Sequence, residues 1–563
     1  MQEFVSRFRP FFVYAAGFSL VINLLLLMPA LFMLQVYDRV IASHSRETLV
    51  MLFVLVTAAL LFMAYLDVIR SRLLTGSAVA LEKLLGPRVL GSMLRRATNP
   101  GSNESVHGLR DVAAMRAFLT GPGIVALFDA PWMPIYVLII FLFHPLLGAI
   151  ALSGALLLFG MAYLNERLSR QPLEAMQAES RKAGRFVDQG VSNAEVASAL
   201  GMVGNIARGW QKLSRQVLTS QLEASRAGSL FASIGKFLRQ FLQVLMLAAG
   251  AWLVIEQQAT SGVMIAATIL LGRALAPVES AIAGWKGLVD ARGAYERVNQ
   301  GLSAETQGEP PTALPAPRGA LSVERVVFGF RGQDRPVIRQ VAFELAPGEA
   351  LAIVGPSAAG KSTLARLIVG LWKPMTGAVR LDSADIASWP RDRLGPYIGY
   401  LPQDVELFAG TVSENIARLG EIDSAAVIEA ATRANAHELI LRLPKGYDTP
   451  IGDGGSFVSA GQRQRIALAR ALYGDPRLVV LDEPNSNLDT DGEAALLEAV
   501  RSLKAEGRTV VVVTHRTSLL AAMDKVILLR EGVIEKMGLM SEVLGRVRSV
   551  HPEAGPAALA ARA

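Results

Sequence analysis

The residues with the most legible chemistry lie in the run Gly355-Pro-Ser-Ala-Ala-Gly360-Lys361-Ser362. It follows a strand-like apolar stretch, Ala350–Val354, and leads into a helix-like one, Thr363–Gly370. That context and spacing match a phosphate-binding loop. Gly355, Pro356, Ser357, Ala358, Ala359 and Gly360 would curl their backbone around phosphate groups, at the positive end of a helix begun by Lys361, Ser362 and Thr363. Lys361 would reach the β- and γ-phosphates, and Ser362 would offer its hydroxyl to Mg2+.

A second constellation is Arg477-Leu-Val-Val-Leu-Asp482-Glu483, four apolar residues ending in two carboxylates. A buried strand would present both at its end. Asp482 would hold Mg2+ through water and Glu483 would polarise the attacking water, because phosphoryl transfer is catalysed by positioning and charge stabilisation. Two surface carboxylates closing a strand are the plainer alternative.

These motifs need an α/β domain, and the chain has room for one. It has 563 residues, 52% of them hydrophobic, with a positive mean hydropathy. The apolar excess lies in the first half, while the part from about Ala320 reads as ordinary α/β. Six runs are long enough to cross a bilayer, namely 11–36, 48–69, 123–143, 146–164, 237–255 and 262–283. Short links join them in pairs, and the two long connections, 70–122 and 165–231, read as helical and rich in Lys and Arg. The positive-inside rule places those connections, both termini and the second half in the cytoplasm. It also accounts for the net charge of +7 without invoking nucleic acid. The absence of cysteine removes disulfides and cysteine nucleophiles, and the six histidines lack metal-site spacing. Within the spans, Arg273, Glu279 and Asp129 line a polar path, or else Asp129 sits at the membrane interface and Arg273 and Glu279 pair within or between helices. Pro131, Pro134 and Pro277 shape kinks.

Between the two chemical motifs stands Val458-Ser459-Ala460-Gly461-Gln462, which resembles the Leu-Ser-Gly-Gly-Gln signature of ABC ATPases. The resemblance implies an all-α six-helix transmembrane domain of the ABC exporter type followed by an α/β nucleotide-binding domain, paired as a homodimeric half-transporter. The domains fall at 1–300 and 320–548, the Pro- and Gly-containing stretch between them, 301–319, reads as an extended linker, and the Ala-rich tail at 549–563 reads as disordered. The resemblance also implies ATP sandwiched between two chains, with Ser459, Gly461 and Gln462 of one facing the phosphate loop of the other. Gln403 then contacts Mg2+ and the coupling surface, Asp489 works across the dimer and His515 touches the γ-phosphate. Phe330, with Phe328 as the alternative, stacks on adenine. Two departures from the signature, Val458 and Ala460, read as a packing change and an added methyl beside the phosphate. Short cross-helices touching the ATPase domain are expected at 102–112 and 193–209.

Met33-Leu-Gln-Val-Tyr-Asp-Arg-Val40, Asp129-Ala-Pro-Trp-Met-Pro134, Arg273-Ala-Leu-Ala-Pro-Val-Glu279 and Asp482-Glu-Pro-Asn-Ser-Asn-Leu-Asp489, with Asn485 for the commoner Thr, look like type I secretion ATPases. The similarity is to the branch exporting metalloproteases, lipases and haem-binding proteins. It implies a Gram-negative inner-membrane component that exports unfolded polypeptides with a C-terminal signal, with a periplasmic membrane-fusion adaptor and an outer-membrane channel. Only about ten residues precede the first span, so no N-terminal peptidase-like domain is expected. A lipid or small-molecule exporter is the alternative, and intact Lys361, Asp482, Glu483 and His515 argue against a regulatory protein that does not hydrolyse ATP.

Overall fold

Leu, Ile, Phe, Val and Ala dominate the first half in runs of about 20 residues, a length that only a helix can carry through lipid with its backbone satisfied. In a computed structural model describing residues 2–98, 108–303, 314–330, 332–333, 335–486 and 488–539, this region is helical. The helices are α1 (Gln2–Leu25), α2 (Met28–Gln35), α3 (Ile41–Ser43), α4 (Arg46–Ala97), α5 (Gly108–Thr120), α6 (Pro122–Asp129), α7 (Met133–Phe143), α8 (Pro145–Ser192), α9 (Ala194–Ala199), α10 (Val203–Ile255) and α11 (Ser261–Ser303). Six segments among the described residues are long and apolar enough to span a membrane, as the sequence predicts. The long connections are helical too, so α4, α8 and α10 run 52, 48 and 53 residues. At 1.5 Å per residue that is about 70–80 Å, more than twice the hydrocarbon thickness.

Two details differ from the sequence reading. The first span is not one helix. Pro29 in the first turn of α2 supplies no N–H, and the chain turns at Leu26 and Leu27. Beyond α2, Val36–Val40 form a π-helical turn, inside the Met33–Val40 motif. The expected cross-helix at 193–209 is confined to α9, six residues closed by a turn before α10. Residues 102–107 of the other candidate, 304–313 of the linker and the 549–563 tail lie outside the described residues.

The chain divides into two units, Met1–Leu94 with Glu104–Gln307 and Arg95–Asn103 with Gly308–Ala563. The second contains β1 (Leu321–Phe328), β2 (Ile338–Leu345), β3 (Ala350–Val354), α12 (Lys361–Ile368), β4 (Thr376–Leu381), β5 (Ala384–Asp385), α13 (Arg391–Leu394), β6 (Ile398–Leu401), α14 (Val412–Ile416), α15 (Ser424–Arg433), α16 (His437–Leu441), α17 (Ala460–Leu472), β7 (Leu478–Asp482), α18 (Thr490–Ala505), β8 (Thr509–Val513), α19 (Thr517–Leu520), β9 (Lys525–Arg530) and β10 (Val533–Leu539). An antiparallel sheet has the order β2-β1-β4-β5, and a larger one β10-β9-β3-β8-β7-β6. In the latter β3 pairs in parallel with β8 and β9, β7 with β8, and β6 with β7. Strands β7 and β8 are buried at every residue, which explains their unbroken Val/Leu runs, since a parallel sheet is covered on both faces. The carboxyl ends of β3, β7 and β8 lie side by side, where open parallel sheets collect their chemistry.

Candidate nucleotide site and the polar groups of the spans

The loop after β3 holds its shape by close backbone approaches. A Cβ on Gly355 would sit 2.1 Å from the Leu529 carbonyl oxygen, and one on Gly360, whose φ is 96°, 2.8 Å from Ile338. Glycine is therefore required at both. Ala358 takes a left-handed φ of 64° without that freedom, a local strain of the kind found where a loop must wrap a ligand. Pro356, Ser357 and Ala358 are exposed, and Ala359 and Thr363 are buried. Lys361 donates through Nζ to the carbonyls of Gly355, at 2.9 Å, and Pro356, at 3.1 Å.

Ser362, beginning α12, donates through Oγ to Asp482 Oδ1 at 3.1 Å and approaches Gln403 Oε1 at 3.5 Å. Gln403 donates through Nε2 to Glu483 Oε2 at 3.2 Å. A polar chain thus joins the phosphate loop, the residues after β6 and the end of β7. Asp482 is fully buried, and its Oδ2 has no hydrogen-bond partner. Burial pushes its carboxyl up, the Ser362 bond opposes this and the Glu483 charge adds to it. Glu483 turns the chain with a φ of 48°, its N–H bonded to Val513 O at 2.9 Å. His515 follows β8 two residues on and is exposed, which sets aside a buried structural histidine.

The signature residues form a helix start. Ser459 Oγ accepts from Gln462 N at 3.2 Å, and Gln462 Oε1 accepts from Ser459 N at 2.8 Å, a reciprocal cap on α17. Ala460 is the first helical residue and is exposed, whereas Val458 packs into the core. Among the described residues, no hydrogen bond joins Ser459, Gly461, Gln462 or Asp489 to the phosphate loop. Asp489 instead caps α18, accepting from Gly492 N at 2.8 Å, and pairs with Arg465 at 3.1 Å. The Gly492 bond holds its carboxyl below the usual range against the opposing effect of desolvation, helped by the charge and hydrogen bond of Arg465.

Of the two aromatics, Phe328 is core and Phe330 is half-buried. Sequence reading missed their neighbour Trp372, stacked on Phe328 at 5.1 Å, edge-on to Phe330 at 5.7 Å and covered by the Arg366 guanidinium at 4.9 Å. It also missed Gln464, whose Nε2 donates to Pro484 O at 2.9 Å and so ties α17 to the turn after Glu483. The Asn485 substitution gains a reason: it is buried, and its Oδ1 accepts from Thr514 Oγ1 at 3.3 Å. None of these has a spacing signal, because, Arg366 apart, each partner is distant in sequence.

In the membrane unit Asp129 accepts from Asn23 Nδ2 at 2.9 Å and from Arg70 at 3.1 Å. Arg70 also donates to Ser19 Oγ at 2.8 Å and Asp67 at 2.6 Å, and Tyr136 OH donates to Asn23 O at 2.8 Å. Asp129 is thus held in a network among spans one, two and three. Glu279 lies 3.0 Å from Arg239 of α10, without hydrogen-bond alignment, rather than beside Arg273. Arg273 is exposed, with no ion pair among the described residues. Asp38, from the π-turn, accepts from Thr260 Oγ1 at 2.7 Å and Gly262 N at 3.0 Å, joining span one to the start of span six.

Comparison with known proteins gives two family matches, the ABC transporter transmembrane region over residues 12–277 and the ABC transporter model over 338–486. The chain is 44% identical to the type I secretion system ATP-binding protein PrsD of Rhizobium meliloti, over 96% of this chain and 93% of that protein. It is 30% identical to the cyclolysin secretion/processing ATP-binding protein CyaB of Bordetella pertussis, over 92% and 74%. Its fold superposes on a bacterial Atm1-family ABC exporter with a TM-score of 0.82, covering 97% of this chain and 99% of that one at 22% identity. The chain belongs to the ABC transporters and, among them, to the ATP-binding proteins of type I secretion systems.

Proposed function

We propose that the protein is a homodimeric exporter of unfolded polypeptides in the bacterial inner membrane, with both termini in the cytoplasm. It would act as the ATP-hydrolysing component of a type I secretion system beside a periplasmic adaptor and an outer-membrane channel. The observation that carries this reading is the 44% identity to a type I secretion ATP-binding protein, sustained over nearly the whole of both chains. The Lys/Arg bias of the long connections supports the orientation, and the four motif stretches support the metalloprotease, lipase and haem-binding-protein branch.

Within the site, residues 355–363 cradle the phosphates of ATP, and Phe330 stacks on adenine. Lys361 exchanges its loop carbonyls for phosphate oxygens. Glu483 orients the attacking water and His515 contacts the γ-phosphate. Ser362, Gln403 and Asp482 suit Mg2+: a buried carboxylate oxygen without a partner is costly, and oxygen ligands are what this cation takes. When bound, Mg2+ would neutralise charge on the β- and γ-phosphates. The sandwich across two chains is supported by the exposed start of α17, a capped helix N-terminus whose Ser459 makes no bond to its own phosphate loop.

Deleting the gene and comparing culture-supernatant proteins by mass spectrometry tests the cargo class. Loss of specific secreted polypeptides, restored by wild-type but not by Glu483→Gln, is expected. An unchanged supernatant with altered membrane lipids would overturn polypeptide export. A form held monomeric should show near-zero ATPase activity, and a fully active monomer would remove the shared site.

A further inference from the structure

Between α8 and α11, beyond spans four and six, lies a cavity of about 380 Å3, within the range of ligand sites. It is lined by four arginines and three glutamates, most of them already committed. Arg170 pairs with Glu174 at 3.0 Å and Arg292 with Glu296 at 3.3 Å, and Arg297 holds Asp111 through two bonds of 3.0 and 2.6 Å. Two donors are left over. Arg181 has no carboxylate at ion-pair distance among the described residues, and the buried Nε1 of Trp285 has no acceptor. An unpaired indole N–H alone would say little, since Trp389 has one inside the nucleotide-binding unit. Here it shares a cavity with a guanidinium that has no carboxylate at ion-pair distance among the described residues and feels the Asp111 charge only from further off, beside the repelling charges of Arg297 and Arg185. Glu166 does not neutralise Arg181, because it stands about 22 Å away along α8 at 1.5 Å per residue.

Together these donors suit an oxyanion, and position and charge narrow its source. Arg181 lies seventeen residues past Leu164, where span four ends, about 25 Å along the helix, whereas a headgroup layer extends only about 5–8 Å beyond the hydrocarbon. A lipid phosphate does not reach it. A nucleotide brings several negative charges into a cavity that carries three glutamates. A single carboxylate flanked by apolar and neutral residues matches the lining, which includes Leu288, Val289 and Gln177. We propose that this cavity binds a carboxylate-bearing segment of the exported polypeptide, with the carboxylate held by Arg181 and the indole N–H of Trp285. The proposal rests on the orientation and the polypeptide-export reading given above.

The test uses the purified full-length protein and a short fluorescent peptide carrying one glutamate, with its glutamine counterpart as control, read by anisotropy. The glutamate peptide should bind more tightly. Arg181→Gln should weaken its binding about tenfold or more, Arg181→Lys less and Trp285→Phe about threefold, as expected for charge-assisted and neutral hydrogen bonds. Basal ATPase activity should not change in any of them. Equal binding of the two peptides, or wild-type binding by Arg181→Gln, would overturn the proposal. So would displacement of the peptide by low concentrations of inorganic phosphate or by phosphatidylglycerol vesicles, which would identify a phosphate or lipid site. Normal secretion by Arg181→Gln cells would remove the cavity's role and leave export standing, whereas an unchanged supernatant after gene deletion would remove export itself.

Discussion

Asp482 and Arg70 are both charged side chains withdrawn from water, one in each unit, and their surroundings differ. Asp482 is fully buried with one oxygen on Ser362 and the other on nothing. Arg70 is 6% exposed and donates to Ser19, Asp67 and Asp129. A buried polar group left unsatisfied is destabilising on its own, and it is tolerated where a ligand completes it. A satisfied network instead holds elements together and loses most when one member is removed. The two regions should therefore respond oppositely to removal of charge.

The largest expected effect is on rate. Glu483→Gln should lower ATP hydrolysis at least about a hundredfold, the usual scale for a positioned general base, while ATP still binds and traps the proposed dimer. Phosphate release and nucleotide retention check this, and wild-type turnover would refute the assigned base. Asp482→Asn sharpens the comparison: hydrolysis should fall as far, yet nucleotide-free thermal stability should stay level or rise, because the variant removes an uncompensated buried charge. A marked fall in melting temperature would mean that Asp482 is held by something other than a ligand to come.

In the membrane unit the expectation reverses. Arg70→Gln leaves Asp129 with the Asn23 donor alone, while the exposed Asp67 turns to water, and breaking a buried pair from one side costs up to about 3–5 kcal/mol. The double variant Arg70→Gln/Asp129→Asn should recover part of that loss. Thermal unfolding of the detergent-solubilised protein measures both, and additive losses in the double variant would show that the two residues are not coupled.

That contrast also explains what could be read beforehand. Lys361, Ser362, Asp482, Glu483 and the capped Ser459 sit at fixed offsets from strand and helix boundaries, as the phosphate-binding role proposed for them would demand. The six spans were legible because lipid demands length. The Asp129 network, the Asp38 bridge and Trp372 were not, since each joins residues dozens to hundreds of positions apart and pairing at that range leaves no periodic mark. The first span's break at Pro29 was hidden for a different reason. Hydropathy is continuous across it, and only the missing N–H betrays it.

A smaller effect is expected at the join of spans one and six. Asp38 acts there as a cap supplied by another helix, so Asp38→Ala should cost about 1 kcal/mol, the scale of a lost N-cap. A Cβ on Gly262 would lie 2.6 Å from Asp38 Oδ1 and 2.7 Å from Leu34 O. Gly262→Ala should therefore cost about 1–3 kcal/mol by overpacking, and only the part due to Asp38 should vanish once Asp38 is already Ala, because the Leu34 carbonyl stays in place. An unchanged Gly262→Ala penalty in that background would place the clash on Leu34 alone.

The smallest effect separates two aspartates of the same unit by the sign of their pH dependence. Burial alone would raise the Asp475 carboxyl, but the hydrogen bond and charge of Arg508, then those of Arg477 at 2.7 Å, hold it below its ordinary value. A depressed carboxyl contributes stability that is present above its unfolded pKa and lost as pH falls through the folded one. Asp482 is raised, so the folded state keeps its proton where the unfolded state has released it, and its contribution declines as pH rises from the ordinary carboxylate value towards the folded one. Without nucleotide, Asp475→Asn should flatten the acid loss of melting temperature, and Asp482→Asn should gain on wild type as pH rises through that upper window. Asp475 is half exposed, so its share is small and should shrink further in salt. If both variants shifted the profile in the same direction, the Asp482 carboxylate would have to be compensated in the folded chain, and the case for an outside cation at that oxygen would lose its physical basis.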